Sequence, residues 1–324
     1  MNSATETAKI APVEAEAALR AFKAVGDPNR LRIVRLLTAG PFHVAELTEI
    51  LGVGQSTVSR NLKILTEAGL VQVQRTGTWA WYSLRREGDA EGGTFEAQLL
   101  GLLDHLPGVN GEAEAVEAVL AKRRSATSDF FRRTAPEWDS VRDRVLGPSR
   151  HLDLLLERVG SGDTVVDLGT GTGVLLDRLA PSFAQVIGVD ASEEMLEVAR
   201  RRAEEHGLEN TDLRLGRLEH LPLSDGEANA MVANFVLQHV SDPAGAIREI
   251  RRGLVPGARF AFADLAEYTR DSLREALGAQ WPGFRRDDLG AWLHAAGFRE
   301  VRMERIEPEN PDHPTVLLGQ AVAV

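Results

Sequence analysis

Cysteine is absent from all 324 residues. Its absence excludes structural disulfides, thiolate metal sites and every mechanism that needs a cysteine nucleophile. No run approaches the roughly 18 apolar residues that span a bilayer, and no N-terminal stretch reads as a signal peptide, so a cytoplasmic location without membrane contact is expected. Positive charge is in short supply: 37 Lys/Arg face 48 Asp/Glu, for a net charge of −11. The deficit is uneven. Residues 1–90 hold 11 Lys/Arg and 9 Asp/Glu, a net of +2, while the remaining 26 basic and 39 acidic residues place −13 on the rest. A near-neutral front on an acidic body is compatible with local phosphate contact at the front. With 43% hydrophobic residues the composition suits a soluble globular chain of two or three domains.

Along the chain the first dozen residues read as frayed. An amphipathic helix is expected over 13–25, stopped by Gly26-Asp27-Pro28. Asp27 can cap the next helix with Pro28 in its first turn. Short helices over 43–51 and 55–68 follow, separated by Gly52-Val53-Gly54, and 71–75 with 78–84 read as a hairpin around Thr76-Gly77. Residues 87–94 form a flexible break. Helices are expected over 95–106, 112–133 and 136–146. From residue 150 onward short apolar strands alternate with amphipathic helices, which implies a mostly parallel sheet. The strand candidates are 164–168, 185–189, 211–215, 230–236, 259–264, 301–306 and 315–322. Three regions result: a DNA-reading domain over 1–90, a helical linker over 91–149 expected to serve dimerisation and as a lid, and an α/β domain over 150–324.

Two short helices, a glycine-bearing turn and a hairpin describe a winged helix-turn-helix. In the 55–68 helix, Val58, Leu62 and Leu65 take core positions, leaving Gln55, Ser56, Thr57, Ser59, Arg60 and Lys63 on or near the outer face. Short hydroxyls and an amide can reach base edges, while Arg60 and Lys63 can reach phosphates or guanine. Arg75 and Thr76 at the hairpin tip can touch the DNA backbone or minor groove. The plainer alternative is an ordinary solvated helix on a small helical domain. The runs Ala24-Val-Gly-Asp-Pro-Asn-Arg-Leu-Arg-Ile-Val34, Gln55-Ser-Thr-Val-Ser-Arg-Asn-Leu-Lys-Ile-Leu65 and Ala68-Gly-Leu70 resemble ArsR/SmtB-type winged-helix repressors. That resemblance implies a homodimer whose two recognition helices enter successive major grooves of a near-palindromic double-stranded operator. Many members sense metals through cysteines or His/Asp pairs. Here Pro41-Phe-His-Val-Ala45 has no cysteine, and His43 and His105 stand alone, so no metal site is expected.

Farther along, Thr164-Val-Val-Asp-Leu-Gly-Thr-Gly-Thr-Gly173 is an apolar strand running into a glycine-rich turn and then a helix expected over 174–180. Such a loop also suits a dinucleotide fold. Two details separate the readings. Asp167 precedes the first glycine by two residues, where a carboxylate can neutralise an ammonium, and Val174 stands where G-x-G-x-x-G needs its third glycine. The next strand ends in Asp190, placed to accept hydrogen bonds from both hydroxyls of a ribose. One acid for an ammonium and one for a ribose fit an aminoacyl nucleoside better than a pyrophosphate; the plain alternative makes both of them strand-end or capping residues.

These residues, with Val189-Asp-Ala-Ser-Glu-Glu-Met-Leu196, 216–226, 234–240 and Gly253-Leu-Val-Pro-Gly-Ala-Arg259, resemble class I S-adenosylmethionine-dependent methyltransferases over 152–324. The resemblance implies a Rossmann-like α/β fold with a mostly parallel seven-stranded sheet, and S-adenosylmethionine or S-adenosylhomocysteine as cofactor. By resemblance Asp167, Gly169 and Gly171 hold the aminoacyl end, Asp190 the ribose, and Ala191 and Met195 the adenosine, with Thr170 and Gly173 of the same turn also cofactor-binding. Arg217 occupies the place where the family often has an acid for the adenine amine, Leu218 can supply a backbone amide, and Asn234, within the fourth strand, is a further cofactor-binding residue. Phe130-Phe-Arg-Arg-Thr-Ala-Pro-Glu-Trp-Asp139 resembles the helix that covers the cofactor, with Phe131 and Trp138 as lid or core residues. His239 is the one base candidate, and a strand cap is the competing role.

Cytosine-C5 DNA methylation and arsenite methylation both draw on cysteine thiols, which this chain lacks. DNA amino-methylation carries an Asn/Asp-Pro-Pro-aromatic run where this chain has Asn234-Phe-Val-Leu. Two functions follow: an operator-binding regulator whose C-terminal domain senses the cofactor, or a working methyltransferase of a small-molecule acceptor with an autoregulatory DNA-binding domain.

Overall fold

A computed structural model describes residues 12–76, 79–85, 111–147 and 149–324. The expected break at 87–94, the helix at 95–106 with His105, and Gly77 of the hairpin turn lie outside the described residues. Contacts divide the chain into two units, 1–75 with 79–117, and 76–78 with 118–324.

In the first unit, helices α1 (Pro12–Val25) and α2 (Pro28–Leu36) are separated by the predicted stop. The Asp27 carboxylate accepts the amides of Asn29 and Arg30 at 2.9 and 3.1 Å, and Pro28 fills a first-turn position that needs no N–H. Strand β1 (Phe42–His43) leads into α3 (Val44–Leu51), whose cap is His43. Its Nδ1 accepts the Glu46 amide at 3.3 Å, and the Glu46 carboxylate accepts the His43 amide at 3.0 Å, a reciprocal capping box. His43 therefore has a structural task. Helix α4 (Gln55–Glu67) packs on α2 and α3 and buries Val58, Leu62 and Leu65, as those helices bury Ile33, Val34 and Leu47. Strands β2 (Val71–Thr76) and β3 (Trp79–Leu84) form the wing, in a three-stranded sheet of order β1-β3-β2. Helix α5 (Glu112–Thr134) begins in this unit, where buried Glu112 accepts from Arg32 and Arg35 of α2.

The second unit contains the α/β sheet, with helix α7 (His151–Val159) leading into it. Its strands are β4 (Gly162–Leu168), β5 (Phe183–Asp190), β6 (Thr211–Leu215), β7 (Ala228–Asn234), β8 (Leu254–Leu265), β9 (Phe298–Ile306) and β10 (Val316–Ala323). Their order is β6-β5-β4-β7-β8-β10-β9. Neighbours from β6 to β8 pair in parallel, and β10 runs antiparallel to both β8 and β9. Val165, Val166, Val186, Ile187, Val232 and Phe260 are fully buried in the sheet, which explains why these runs read as continuously apolar.

Several strands start earlier than expected, β8 by five residues at Leu254 and β9 by three at Phe298, and three other boundaries differ for local reasons. Strand β7 stops at Asn234 rather than 236, because Phe235 adopts φ 54° and residues Leu237–His239 curl into a 3-10 turn. The buried Asp264 carboxylate accepts the Leu237 amide of that turn at 2.9 Å. The helix expected over 174–180 contracts to α8 (Leu176–Leu179). The helix expected over 136–146 begins as a 3-10 turn, Ala135–Glu137, before α6 (Trp138–Leu146). Among the described residues no helix is long and apolar enough to cross a membrane.

Candidate functional site

Parallel strands leave their carboxyl ends along one edge of the sheet, and β4, β5 and β7 deliver Asp167, Asp190 and Asn234 there. These residues face a cavity of about 530 Å3. Gly169, Thr170, Gly171, Ala191, Met195, Arg217, Leu218 and His239 line the same cavity. Gly173 does not. It is left-handed at φ 78°, and a Cβ there would lie 2.8 Å from Leu176 Cδ1 and 3.2 Å from Ala199 Cβ, so its smallness serves packing of the loop. Gly169 is constrained in the same way: at φ 64° an added Cβ would meet Val236 Cγ2 at 2.3 Å.

Asp167 is buried and accepts from Thr170 Oγ1 at 2.7 Å. Burial outweighs that bond and, with the nearby charge of Asp190, pushes the carboxyl up to about 7. Such a group favours a cation beside it. Asp190 accepts the Gly171 amide at 2.8 Å and the Ser192 amide at 2.9 Å, so one carboxylate joins the glycine turn to the next helix. Burial still leaves it above the ordinary carboxylate value. That helix, α9 (Glu193–Glu205), is capped by Ser192 Oγ on the Met195 amide at 3.2 Å, which seats Met195 at the cavity wall. His151 Nε2 lies 3.0 Å from Asn234 Oδ1 and fixes that amide. Burial pulls the His151 pKa down to about 4 against this bond.

The covering side comes from α5 and α6. Phe131 packs edge-on to Trp138 at 5.0 Å and to His239 at 4.9 Å, and both aromatic residues line the cavity. Asp139 at the start of α6 accepts Thr172 Oγ1 at 2.6 Å, Arg142 at 3.0 Å and Arg202 of α9 at 2.8 Å. Burial raises its pKa, but the Thr172 bond and the two arginines outweigh it and hold it below the ordinary value. Sequence reasoning missed this clamp, although Asp139 closes the run quoted above. It also missed Gln280 and the Ser241–Glu219 bond at 2.6 Å, both at the cavity. Burial brings the His239 pKa down to about 4, only partly offset by its bond to the Gly278 carbonyl.

In the N-terminal unit Gln55, Ser56, Ser59, Arg60 and Lys63 are exposed on α4 and Thr57 is half-buried. Lys63 lies 3.8 Å from Glu67. Arg75 is exposed near the end of β2, which Thr76 closes.

Two family matches coincide with these two units. Residues 27–73 match the bacterial regulatory proteins of the arsR family, and residues 160–292 match a methyltransferase domain. The ubiquinone biosynthesis O-methyltransferase of Hahella chejuensis is 32% identical over 178 residues, 49% of this chain and 74% of that protein. The arsenite methyltransferase of Halobacterium salinarum is 33% identical over 156 residues, 44% of this chain and 39% of that protein. The chain spans only 30 to 40% of the length of the first curated relatives it matches. Among solved structures, the N-methyltransferase NodS of Bradyrhizobium japonicum WM9, in complex with S-adenosylhomocysteine, has a TM-score of 0.51 at 16% identity. The superposition covers 61% of this chain and 98% of that one, which establishes a shared fold. The chain belongs to the S-adenosylmethionine-dependent methyltransferases, with an ArsR-type winged helix-turn-helix fused ahead of the catalytic-type domain.

Proposed function

We propose that this chain is a DNA-binding regulator whose C-terminal unit binds S-adenosylmethionine or S-adenosylhomocysteine and biases operator binding by a homodimer in the cytoplasm. The observation that carries the cofactor assignment is the pair of carboxylates on one cavity wall, at the ends of adjacent parallel strands. The residues fit the group. Asp167, buried and short of a cation, would hold the ammonium; Asp190 would hold the ribose; Ala191, Met195 and Leu218 would flank the adenosine. Bound there, S-adenosylmethionine supplies a methyl made electrophilic by its sulfonium. The chain's own residues bind and orient it, and the Phe131–Trp138 cover excludes water. On α4 the exposed hydroxyls, Gln55 and Arg60 would read the operator, with Arg75 and Thr76 on its backbone.

A second reading makes the chain a working small-molecule methyltransferase with an autoregulatory DNA-binding unit. It is favoured by the cavity's continuation past the carboxylates to His239, Ser128 and Gln280, space that a cofactor sensor does not need. The name of the arsenite-methylating relative does not extend to this chain's acceptor, since no thiol is present to hold arsenic. Calorimetry with each cofactor form, followed by binding to the protein's own promoter with each at saturation, tests the proposal. Cofactor binding without any change in DNA affinity would move the assignment to the second reading.

A further inference from the structure

Two hydrogen-bond acceptors on residues that line the cavity lack a donor among the described residues. His239 Nδ1 lies 3.4 Å from the Gly278 carbonyl, and a carbonyl only accepts, so Nδ1 carries the ring proton and Nε2 keeps a bare lone pair. That Nε2 is shielded from solvent and has no partner among the described residues. Gln280 is oriented with equal definition. Its Nε2 donates to the His239 carbonyl at 2.7 Å and to Thr127 Oγ1 at 2.9 Å, which fixes the sense of the amide. Its Oε1 is left buried and without a partner among the described residues. The two residues are thus joined through one backbone carbonyl, and both line the cavity.

A buried acceptor without a donor is a standing cost that one incoming N–H or O–H removes. A carboxylate or phosphate would set its own lone pairs against these two. The walls beside them are aromatic, with Phe131 edge-on to the His239 ring at 4.9 Å and Trp138 at 6.3 Å. A flat, uncharged molecule suits such walls, and hydroxyls on it would bring donors without a charge to desolvate. We infer that this part of the cavity is the methyl-acceptor subsite and that the acceptor is a neutral hydroxylated aromatic, one O–H donating to His239 Nε2 and another to Gln280 Oε1. The inference rests on the reading that the same cavity holds the cofactor.

The test uses the full chain and calorimetry in two stages: S-adenosylhomocysteine first, then catechol into the saturated complex, where no turnover can occur. Catechol should bind, and two controls should bind at least tenfold more weakly: 1,2-dimethoxybenzene, similar in shape without donors, and benzoate, which is anionic. Gln280→Met and His239→Phe should each weaken catechol at least tenfold while S-adenosylhomocysteine affinity stays within twofold. If the cofactor binds but catechol does not, or the dimethoxy compound or benzoate matches it, the acceptor subsite is overturned while the cofactor site stands. Failure of S-adenosylhomocysteine to bind wild type overturns the reading beneath it. The wild-type ligand comparison decides the matter even where a variant fails to fold.

Discussion

Thr172 Oγ1 donates to Asp139 Oδ1 at 2.6 Å across 33 residues of sequence, tying the glycine turn to the helix that covers the cavity. Arg202 reaches the other oxygen of the same carboxylate at 2.8 Å, so the turn, the cover and α9 meet at one side chain. Removing it with Asp139→Ala should lower stability by about 1–2 kcal/mol, allowing for solvent screening of a partly exposed group. Cofactor affinity should fall several-fold, because the turn and its cover lose their common anchor. The folded pKa lies below the ordinary 3.8, so this contribution is present above that value and is lost as pH falls through the folded one. Melts of wild type and Asp139→Ala at pH 7, with S-adenosylhomocysteine titrations, check it; coincident curves contradict it.

Asp190→Ala should weaken S-adenosylhomocysteine at least tenfold, from lost charge-assisted bonds of about 1.5–3 kcal/mol each. The same carboxylate holds the Gly171 and Ser192 amides, so the glycine turn should loosen as well. Calorimetry returning wild-type affinity would end the assignment of Asp190.

The raised pKa of Asp167 gives cofactor binding a pH dependence of definite sign. A bound ammonium requires the ionised carboxylate, whereas the free group is protonated below about 7. Affinity should therefore rise with pH between 5.5 and 7, by up to about tenfold per unit, with proton release on binding. Asp167→Asn should bind weakly and lose the dependence. Titration in buffers of different ionisation enthalpy measures the proton count, and proton uptake would contradict this account.

Arg60→Ala should weaken operator binding by about 1–3 kcal/mol if Arg60 reads a base, or flatten the salt dependence if it meets phosphate alone. Cofactor affinity should not change, since Arg60 is exposed on α4 of the N-terminal unit. A salt titration of the mutant that overlays wild type would show that α4 is not the recognition helix.

Much of this was legible from sequence because it is local. The Asp27-Pro28 cap, the Val58/Leu62/Leu65 face and the run from Thr164 to Gly173 each declare themselves within one or two turns or a single strand-turn unit. Asp167 and Asp190 were legible because strand ends in a parallel sheet share an edge. The Thr172–Asp139 bond, the His151–Asn234 pair and the Gln280 contact to the His239 carbonyl were not, since they join residues 33, 83 and 41 positions apart and leave no periodic trace. Gly173 packs against Leu176 and Ala199 rather than lining the cavity, a distinction that the glycine-rich run does not carry in sequence.

Helix α5 is shared by the two units: Glu112 at its start is held by Arg32 and Arg35, and Phe131 near its end lines the cavity. Under the proposed regulator function, cofactor occupancy would bias DNA binding through this helix. The most direct measurement is the affinity of the full chain for its own promoter with no ligand, with saturating S-adenosylmethionine and with saturating S-adenosylhomocysteine, alongside Asp190→Ala. At least one ligand should shift wild-type affinity by about 5–150-fold, with operator shifting ligand affinity by the same factor, and neither should shift Asp190→Ala. Three equal wild-type affinities would contradict the regulator account.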